Sequence, residues 1–256
     1  MAQYKKRGYK PSSKKERENT VEEHSTTAEV FNTLDEGASK TETWVADNQK
    51  YIYIIVGVAI VAVLGYLGYN RFVHAPKQAE AANEMAQAED YMAAALRATG
   101  TESDSLYNLA LNGGEGKFGF LDIIDNYGGT DAANLAHYNA GFAYLRTGKY
   151  QEAIEQLEDF KSDDEIFAPL AAGGIGDAFT QLGQPEDALG YYEKAAEMRS
   201  NTFTTPRFLL KAAITAIELG DNDTAEEYLN RIEEEYPDSP EANKVPIYLG
   251  MASAKN

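Results

Sequence analysis

Residues 51–69, YIYIIVGVAIVAVLGYLGY, constrain this chain more than any other stretch, because they contain no charged side chain. As a helix they reach about 28 Å, close to the ~30 Å hydrocarbon core of a bilayer. About half of them are isoleucine, valine or leucine, and each such side chain favours insertion by roughly 0.3–0.6 kcal/mol. Tyrosines at both ends suit the two membrane interfaces. The sequence therefore predicts a membrane-spanning helix, which we place at residues 51–73.

Two other interpretations of this stretch are weaker. A helix buried in a soluble core is one of them, and the aromatic and basic flanks speak against it. A cleaved secretory signal peptide is the other, but the stretch begins fifty residues into the chain and no small-x-small cleavage site follows it. The stretch therefore predicts an uncleaved signal anchor, with a tail before it and a domain after it.

Charge is unevenly distributed along the chain. The formal net charge is −18, yet residues 1–50 carry nine basic and nine acidic side chains, so the excess acid lies beyond Val73. An acidic domain is a poor partner for nucleic acid, because phosphate contacts need a basic surface. The absence of cysteine excludes disulfides, a thiol nucleophile, a cysteine zinc site and a lipid-modified N-terminal cysteine.

The segment before the anchor divides into two predicted parts. Residues 1–26 are first basic and then polar, which predicts a disordered tail whose basic run suits solvent, anionic lipid or ribosomal RNA. In residues 27–50, Phe31, Leu34 and Trp44 predict an amphipathic juxtamembrane helix that contacts the membrane or a partner. Positive charges close to the span nearly cancel, so the basic tail decides the orientation. We expect a cytoplasmic N-terminus and an exported C-terminal domain.

The predicted span carries small residues on one side, where another transmembrane helix could approach closely. This strip consists of Gly57, Val61, Gly65 and Gly68. The spacing does not match GxxxG, so contact with a heterologous membrane helix is preferred over self-dimerisation.

Three glycines reveal a repeat in the acidic domain. Gly148, Gly183 and Gly220 occupy equivalent turns and lie 35 and 37 residues apart. This pattern resembles the tetratricopeptide repeat, a helix–turn–helix unit of about 34 residues that stacks into a solenoid. The resemblance implies an all-α fold class, in which a single N-terminal transmembrane helix precedes a tetratricopeptide-repeat α-solenoid.

The repeat also predicts where the units lie and how they pack. The tetratricopeptide domain covers residues 74–256, with a degenerate unit at 77–127, full units at about 134–168, 169–203 and 206–238, and a capping helix at 239–254. Small residues are expected where the two helices of a unit meet, namely Gly141, Gly176 and Ala213 on first helices and Ala153, Ala188 and Ala225 on second helices. One turn later, Leu157, Tyr192 and Leu229 are expected to pack.

The inner face of the first helices is the candidate protein-binding groove, because tetratricopeptide solenoids turn this face inward. Its apolar members are Tyr138, Phe142, Leu210, Ile214 and Ile217. The lysines and asparagines with which some repeat proteins clamp a terminal carboxylate are absent from the matching positions. An apolar floor surrounded by acid suits an amphipathic helix or an extended apolar segment. The alternative is that neighbouring helices cover this face.

No motif predicts catalysis, a cofactor, a metal site or a small-molecule substrate. The glycine-rich run 173–176 follows no strand, so close helix packing explains it better than a phosphate cradle. The acidic turn 221–223 lacks the glycine and the distal glutamate of a calcium loop. We therefore expect a protein that binds other proteins rather than an enzyme. An atypical catalytic site in the loop 112–116 is the remaining enzymatic alternative.

Two stretches carry a resemblance to a known family. They are FLDIIDNYGGT and NLAHYNAGFAYLRTGKYQEA within residues 118–153, and VFNTLDEGASKTETWVADNQKYIYI at residues 30–54. Together with the order of parts, they resemble the YfgM-like ancillary subunits of the bacterial SecYEG translocon. The resemblance implies an inner-membrane protein with a periplasmic repeat domain. Its implied partners are the Sec translocon, a membrane-anchored periplasmic chaperone and exported polypeptides.

A second resemblance leaves an alternative open. The segment IEEEYPDSP at residues 232–240 resembles the unit endings of tetratricopeptide lipoproteins that assemble the outer membrane. Those proteins carry a lipidated cysteine, which this chain lacks. A general scaffold for cell-envelope assembly is therefore the second functional hypothesis.

Overall fold

The computed structural model of the protein describes residues 26–254, with side chains from residue 41 onward. The chain divides into two compact units, one ending at Tyr69 and one beginning at Asn70. Every regular element between residues 26 and 254 is helical, and the single β-type pairing there is an isolated bridge between Gly114 and Lys117. The predicted all-α fold class is confirmed.

The first unit contains one long helix, α1, at Thr26–Tyr69. It runs without a break through Lys50, so the predicted juxtamembrane helix and the start of the predicted span belong to one element. The helical stretch Thr41–Ala95 contains a window of mean hydropathy 2.3 and is long and apolar enough to cross a membrane. No residue of that window is buried within the protein. The predicted tail covers residues 1–26; residues 1–25 of it lie outside the described residues, and Thr26 is the first residue of α1.

The second unit is a succession of short helices. They are a π-helical turn at Asn70–His74, α2 Ala75–Ala95, α3 Thr101–Asn112, α4 Phe120–Tyr127, α5 Asp131–Arg146, α6 Tyr150–Asp159, α7 Phe167–Gln181, α8 Pro185–Glu197, α9 Thr204–Leu219, α10 Asn222–Glu235, a 3-10 turn at Ala242–Lys244 and α11 Val245–Ala254. Successive helices from α5 to α10 pack on one another, α2 packs on α3, α4 and α5, and α11 packs on α9 and α10.

The three predicted turn glycines end α5, α7 and α9 in the same way. Gly148, Gly183 and Gly220 have φ of +76°, +71° and +82°, the left-handed region in which a side chain is strained. In each turn the next residue's N–H donates to a carbonyl five positions earlier, as Lys149 does to Tyr144 at 2.9 Å. This is the Schellman motif, and its threefold recurrence gives every unit the same sharp reversal.

Small residues hold the two helices of each unit together, as the repeat pattern predicts. A Cβ placed on Gly141 would lie 2.5 Å from Leu157 Cγ, and one on Gly176 would lie 2.6 Å from the Tyr192 ring. Ala153, the small residue of α6, is fully buried. Its counterparts Ala188, Ala213 and Ala225 and the packing residue Leu229 are also fully buried. Because alanine and glycine dominate these contacts, the helices approach closely.

A side-chain oxygen at or shortly before the start of the first helix of each unit accepts a backbone N–H. Thr130 Oγ1 accepts from Ala133 N at 3.1 Å, and Asp164 Oδ1 accepts from Phe167 N at 2.9 Å. Asn201 Oδ1 accepts from Thr204 N at 2.8 Å in the same way before α9. The backbone donors of Phe167 and Ile166 lower the pKa of Asp164.

The helices begin slightly earlier than the predicted units, where these side-chain acceptors hold the backbone. The repeat pattern predicts units from 134, 169 and 206, whereas α5, α7 and α9 begin at 131, 167 and 204. At the other end, the helix expected from residue 239 begins only at Val245. Pro240 accounts for that delay, because it disfavours helical backbone at Ser239 and has no N–H to donate. The limits of the units themselves stay a prediction.

Candidate functional site

The first helices of the three units line a cavity of about 490 Å³ in the second compact unit. The lining of each helix includes a pair of side chains one turn apart, Phe142 and Arg146 from α5, Asp177 and Gln181 from α7, and Arg207 and Lys211 from α9. Residues four apart lie on the same face of a helix, so this cavity is the shared face of the three first helices. We term it the groove.

Aromatic rings pack beside the groove. The Tyr138 ring centroid lies 4.7 Å from that of Phe142, 5.0 Å from that of Phe160 and 5.2 Å from that of Phe167. These are normal separations for stabilising aromatic pairs. Burial raises the pKa of Tyr138 to about 12, and the positive charge of Arg207 opposes that rise. Tyr138 is half-buried and does not line the groove itself, but it packs against Phe142, which does, and lies within electrostatic reach of Arg207 on α9.

Glycines of α7 make room for the rings of neighbouring helices. A Cβ on Gly173 would overlap the buried ring of Phe208 on α9, and one on Gly174 would lie 3.1 Å from Phe142 Cζ on α5. The interpretation of the run 173–176 as a close-packing surface is confirmed. The helix α7 brings α5 and α9 near enough for one groove to span all three.

A polar network crosses the groove floor. Tyr192 OH donates to Asp177 Oδ1 at 2.7 Å and lies 3.0 Å from Thr180 Oγ1. The Lys211 ammonium forms an ion pair with the same carboxylate and lies 5.3 Å from the Tyr192 ring centroid. Burial and the Asp177 charge raise the pKa of the Tyr192 hydroxyl, so it stays a donor. The network fixes the position of Asp177 between α7, α8 and α9.

The remaining charged residues of the groove are basic, and the sequence pattern did not predict this. Arg146 and Arg207 are exposed, and neither has a carboxylate within ion-pair distance among the described side chains. The positions that match a carboxylate clamp include 142 and 210 but not 146 and 207. Arg146 lies four residues after position 142 and Arg207 three residues before position 210, so helical spacing is the signal that could have found them.

Two residues that the sequence predicts on the groove surface are buried, so the prediction is wrong for them. Leu210 is 5% exposed and lies in a core cluster of α7 to α11, and Ile217 is 3% exposed and clusters with Ala252 and Tyr248 of α11. Neighbouring helices thus cover both, which was the alternative left open. Phe142 and Ile214 are half-buried and pack against core clusters. The open face of the first helices is consequently less apolar than predicted.

A second cavity, of about 660 Å³, lies between α6, α7 and α8. Its charged lining comprises Lys161 and Lys194 together with Glu158 and Asp163. The Asp163 carboxylate also accepts from Arg199 at 2.9 Å. Positive and negative groups are equal in number here, in contrast to the groove.

In the first unit, the predicted membrane contact strip is open. A Cβ on Gly57, Gly65 or Gly68 would meet no atom within 4 Å, and Val61 is 70% exposed. Trp44 is 61% exposed, while the side chains of Phe31 and Leu34 lie outside the described residues. Contacts of the strip and of the juxtamembrane residues stay predictions.

Comparison with known proteins identifies the repeat. Two family models, each described as tetratricopeptide repeat, match residues 138–202 and 179–245. No curated protein sequence matches the chain. Among solved structures, the chain is similar to a crystal structure of PcrH in complex with the chaperone binding region of PopB. The identity is 25%, the match covers 50% of this chain and 98% of that chain, and the TM-score is 0.38.

The fold and the two family-model matches define the class of protein. The chain carries a tetratricopeptide-repeat domain, and such domains are typically non-enzymatic scaffolds for protein–protein interaction. In this protein the scaffold accompanies a helix that is long and apolar enough to be a membrane anchor.

Proposed function

We propose that this protein is a membrane-anchored interaction subunit of the Sec translocon that receives or hands over exported chains on the periplasmic side. The groove is the observation that carries the proposal, because three successive first helices jointly line one cavity. Its volume of about 490 Å³ is within the range of pockets that enclose a drug-sized molecule, whose bulk is comparable to that of a few side chains. A bound segment would contact all three units at once.

The sequence supports the identity of the partners. The order of tail, apolar helix and repeat domain resembles the YfgM-like translocon subunits, and the matching stretches flank both the anchor and the first unit. The proposed partners are therefore the Sec translocon, a membrane-anchored periplasmic chaperone and exported polypeptides. Residues 74–256 act as the partner-binding domain in this proposal, with the segment 77–127 as its degenerate first unit.

The proposed location is the bacterial inner membrane, crossed once, with a cytoplasmic N-terminus and a periplasmic repeat domain. The basic run in residues 5–17 supports this orientation, because such segments normally stay in the cytoplasm. Protease added outside intact spheroplasts should digest the repeat domain and spare an N-terminal epitope. Loss of the epitope with survival of the repeats would reverse the topology.

The anchor itself is proposed to contact a heterologous membrane helix. The strip of Gly57, Val61, Gly65 and Gly68 is free of intramolecular neighbours and permits close helix approach. The exposed ring of Trp44, with Phe31 and Leu34, is the proposed juxtamembrane contact. Replacing Gly65 and Gly68 by leucine should weaken copurification with membrane partners while leaving insertion intact. Unchanged copurification would leave the strip without a role.

Affinity purification of the full-length protein from detergent-solubilised host membranes tests the function. Translocon subunits and a periplasmic chaperone should copurify with the wild type. Gln181 is exposed at the end of α7 and lines the groove, so Gln181→Trp should fill the cavity without changing charge and abolish chaperone or client capture. Gln151→Trp, at an exposed position outside the groove, is the matched control.

The same purification separates the two functional hypotheses. Enrichment of outer-membrane assembly factors in place of translocon subunits would favour the envelope scaffold. Equal capture by wild type and Gln181→Trp would remove the groove from the function.

A further inference from the structure

The charge of the groove is opposite in sign to the charge of the protein. The formal net charge of the chain is −18, whereas the groove is lined by three cations, Arg146, Arg207 and Lys211, and by one carboxylate, Asp177. Random placement of side chains on so acidic a protein would give a groove with more acid than base. Within the described repeat domain, the groove is therefore a place that can attract an anion.

Two of the three cations are available to a ligand. Arg146 lies in the last turn of α5, and Arg207 lies in the first turn of α9. Both are exposed, and no ion pair joins either of them to a carboxylate among the described side chains. A guanidinium presents paired N–H donors in a plane that matches the two oxygens of a carboxylate.

The third cation holds the single acid of the groove in place. Lys211 pairs with Asp177, and the side chains of the two are 30% and 38% exposed. Tyr192 OH donates to the same carboxylate oxygen, Oδ1, so two donors already share the charge of Asp177. An ammonium has three N–H donors, and the pairing with one carboxylate leaves Lys211 donors for another.

Apolar side chains lie beside these charges. Phe142 and Leu145 of α5 line the same cavity and are half-buried, so each presents part of its surface to the groove. A ligand that satisfied the cations and also covered this surface would carry a carboxylate next to an aliphatic or aromatic group. Aspartate or glutamate beside leucine or phenylalanine in a polypeptide has this chemistry.

We propose that the groove binds an acidic polypeptide segment. Aspartate or glutamate carboxylates of the segment pair with Arg146 and Arg207, and an adjacent apolar side chain covers Phe142 and Leu145. This inference rests on the proposed function, because it names the chemistry of the segment that the groove would hold. It also differs from the sequence expectation, which is an amphipathic helix or an extended apolar segment on an apolar floor.

Fluorescence anisotropy with the full-length protein in phosphatidylcholine nanodiscs tests the proposal. The probe is a labelled ten-residue peptide that alternates aspartate with leucine and phenylalanine and has both ends blocked. Its twin has asparagine in place of aspartate. We expect the aspartate peptide to bind about tenfold more tightly than its twin or better, and to weaken as salt rises from about 50 to about 500 mM.

Variants assign the effect to the groove. Arg146→Gln with Arg207→Gln should remove the preference for the aspartate peptide. The matched control is Arg97→Gln with Arg231→Gln, which changes the net charge equally at residues outside the groove and should keep the preference. Asp177→Asn keeps an oxygen acceptor for Tyr192 and removes the groove's negative charge, so it should tighten binding severalfold. A gain of affinity cannot come from misfolding.

Three results would overturn the proposal. Equal binding of the two peptides, with both abolished by Gln181→Trp, would leave the groove as a protein-binding site without an anionic preference, so the proposed function would stand. Absence of binding by the aspartate peptide, with partner capture still sensitive to Gln181→Trp, would also overturn the acidic-segment proposal and leave the proposed function standing. Displacement of the peptide by inorganic phosphate at equal ionic strength as effectively as by the unlabelled peptide would indicate a general anion site.

Discussion

The anchor helix and the repeat domain use apolar residues in opposite ways. In α1, large side chains such as Ile55 and Val61 are exposed, and none of the hydropathic window is buried within the protein. In the repeats, the fully buried positions include many alanines, with Ala153 and Ala188 as examples. Apolar content alone therefore does not create a core. Side chains are buried where turns return the chain on itself, and an unbroken apolar helix needs another solvent, which a bilayer provides.

The glycines of the two regions also differ in whether other parts of the chain pack against them. Gly173 in α7 lies against the buried Phe208 ring, while Gly65 in α1 has no neighbour within 4 Å of an added Cβ. The first is fixed by contacts within the chain. The second has open space that only lipid or another protein can fill. Substitutions of the same type in the two regions should consequently have different outcomes.

Matched leucine truncations in the two regions should give the largest difference in the free energy of unfolding. Leu229 is fully buried in α10, so Leu229→Ala should lower the free energy of unfolding by about 2–5 kcal/mol. Leu64 is exposed in α1, so Leu64→Ala should leave the unfolding of the repeat domain unchanged. Urea unfolding of the full chain in detergent micelles, followed by circular dichroism, measures both. Similar losses for the two variants would break the comparison.

Matched glycine substitutions should give a smaller difference in stability between the two regions. Gly173→Ala forces a methyl group into the Phe208 ring and should cost about 1–3 kcal/mol of stability. Gly65→Ala adds the same methyl group in open space and should have no effect on the same unfolding curve. If Gly173→Ala were as stable as the wild type, the close approach of α7 and α9 would be looser than the structure has it.

The repeat was predictable because its signals are local. Gly148 and the two later turn glycines must adopt positive φ, and small residues such as Gly141 must lie where helices cross, so period and residue type suffice. Side-chain acceptors such as Asp164 are local too, but they precede the apolar pattern from which the helix limits are predicted. The apolar helix was predictable from length and composition.

The groove was less predictable because its surface depends on contacts between distant residues. Leu210 and Ile217 occupy inner-face positions, yet α11 and other neighbouring helices cover them, and the repeat pattern does not specify where the last helix packs. The basic lining arises from Arg146 and Arg207, which are 61 positions apart and meet only through the stacking of three units. Sequence distance hides such a charge cluster.

Alkaline titration should give the smallest effect, and it concerns the repeat domain alone. Burial raises the pKa of Tyr138 to about 12, whereas a tyrosine in the unfolded chain titrates near 10. Between about pH 10 and about pH 12 the unfolded chain therefore loses a proton that the folded protein keeps, and stability falls as pH rises. Tyr138→Phe should make this decline shallower in unfolding curves recorded from pH 9 to about pH 12. An unaltered decline would mean that the hydroxyl is not buried as described.

Site-specific photocrosslinking in host membranes tests the central claim most directly, namely that an anchored repeat domain binds partners through the groove. A photoreactive phenylalanine analogue is introduced at Gln181 inside the groove, and at Gln151 outside it for comparison. The account predicts crosslinks from position 181 to an exported chain or a translocon-associated chaperone, and few or none from position 151. Equal crosslinking from both positions, or partners captured only from position 151, would contradict it.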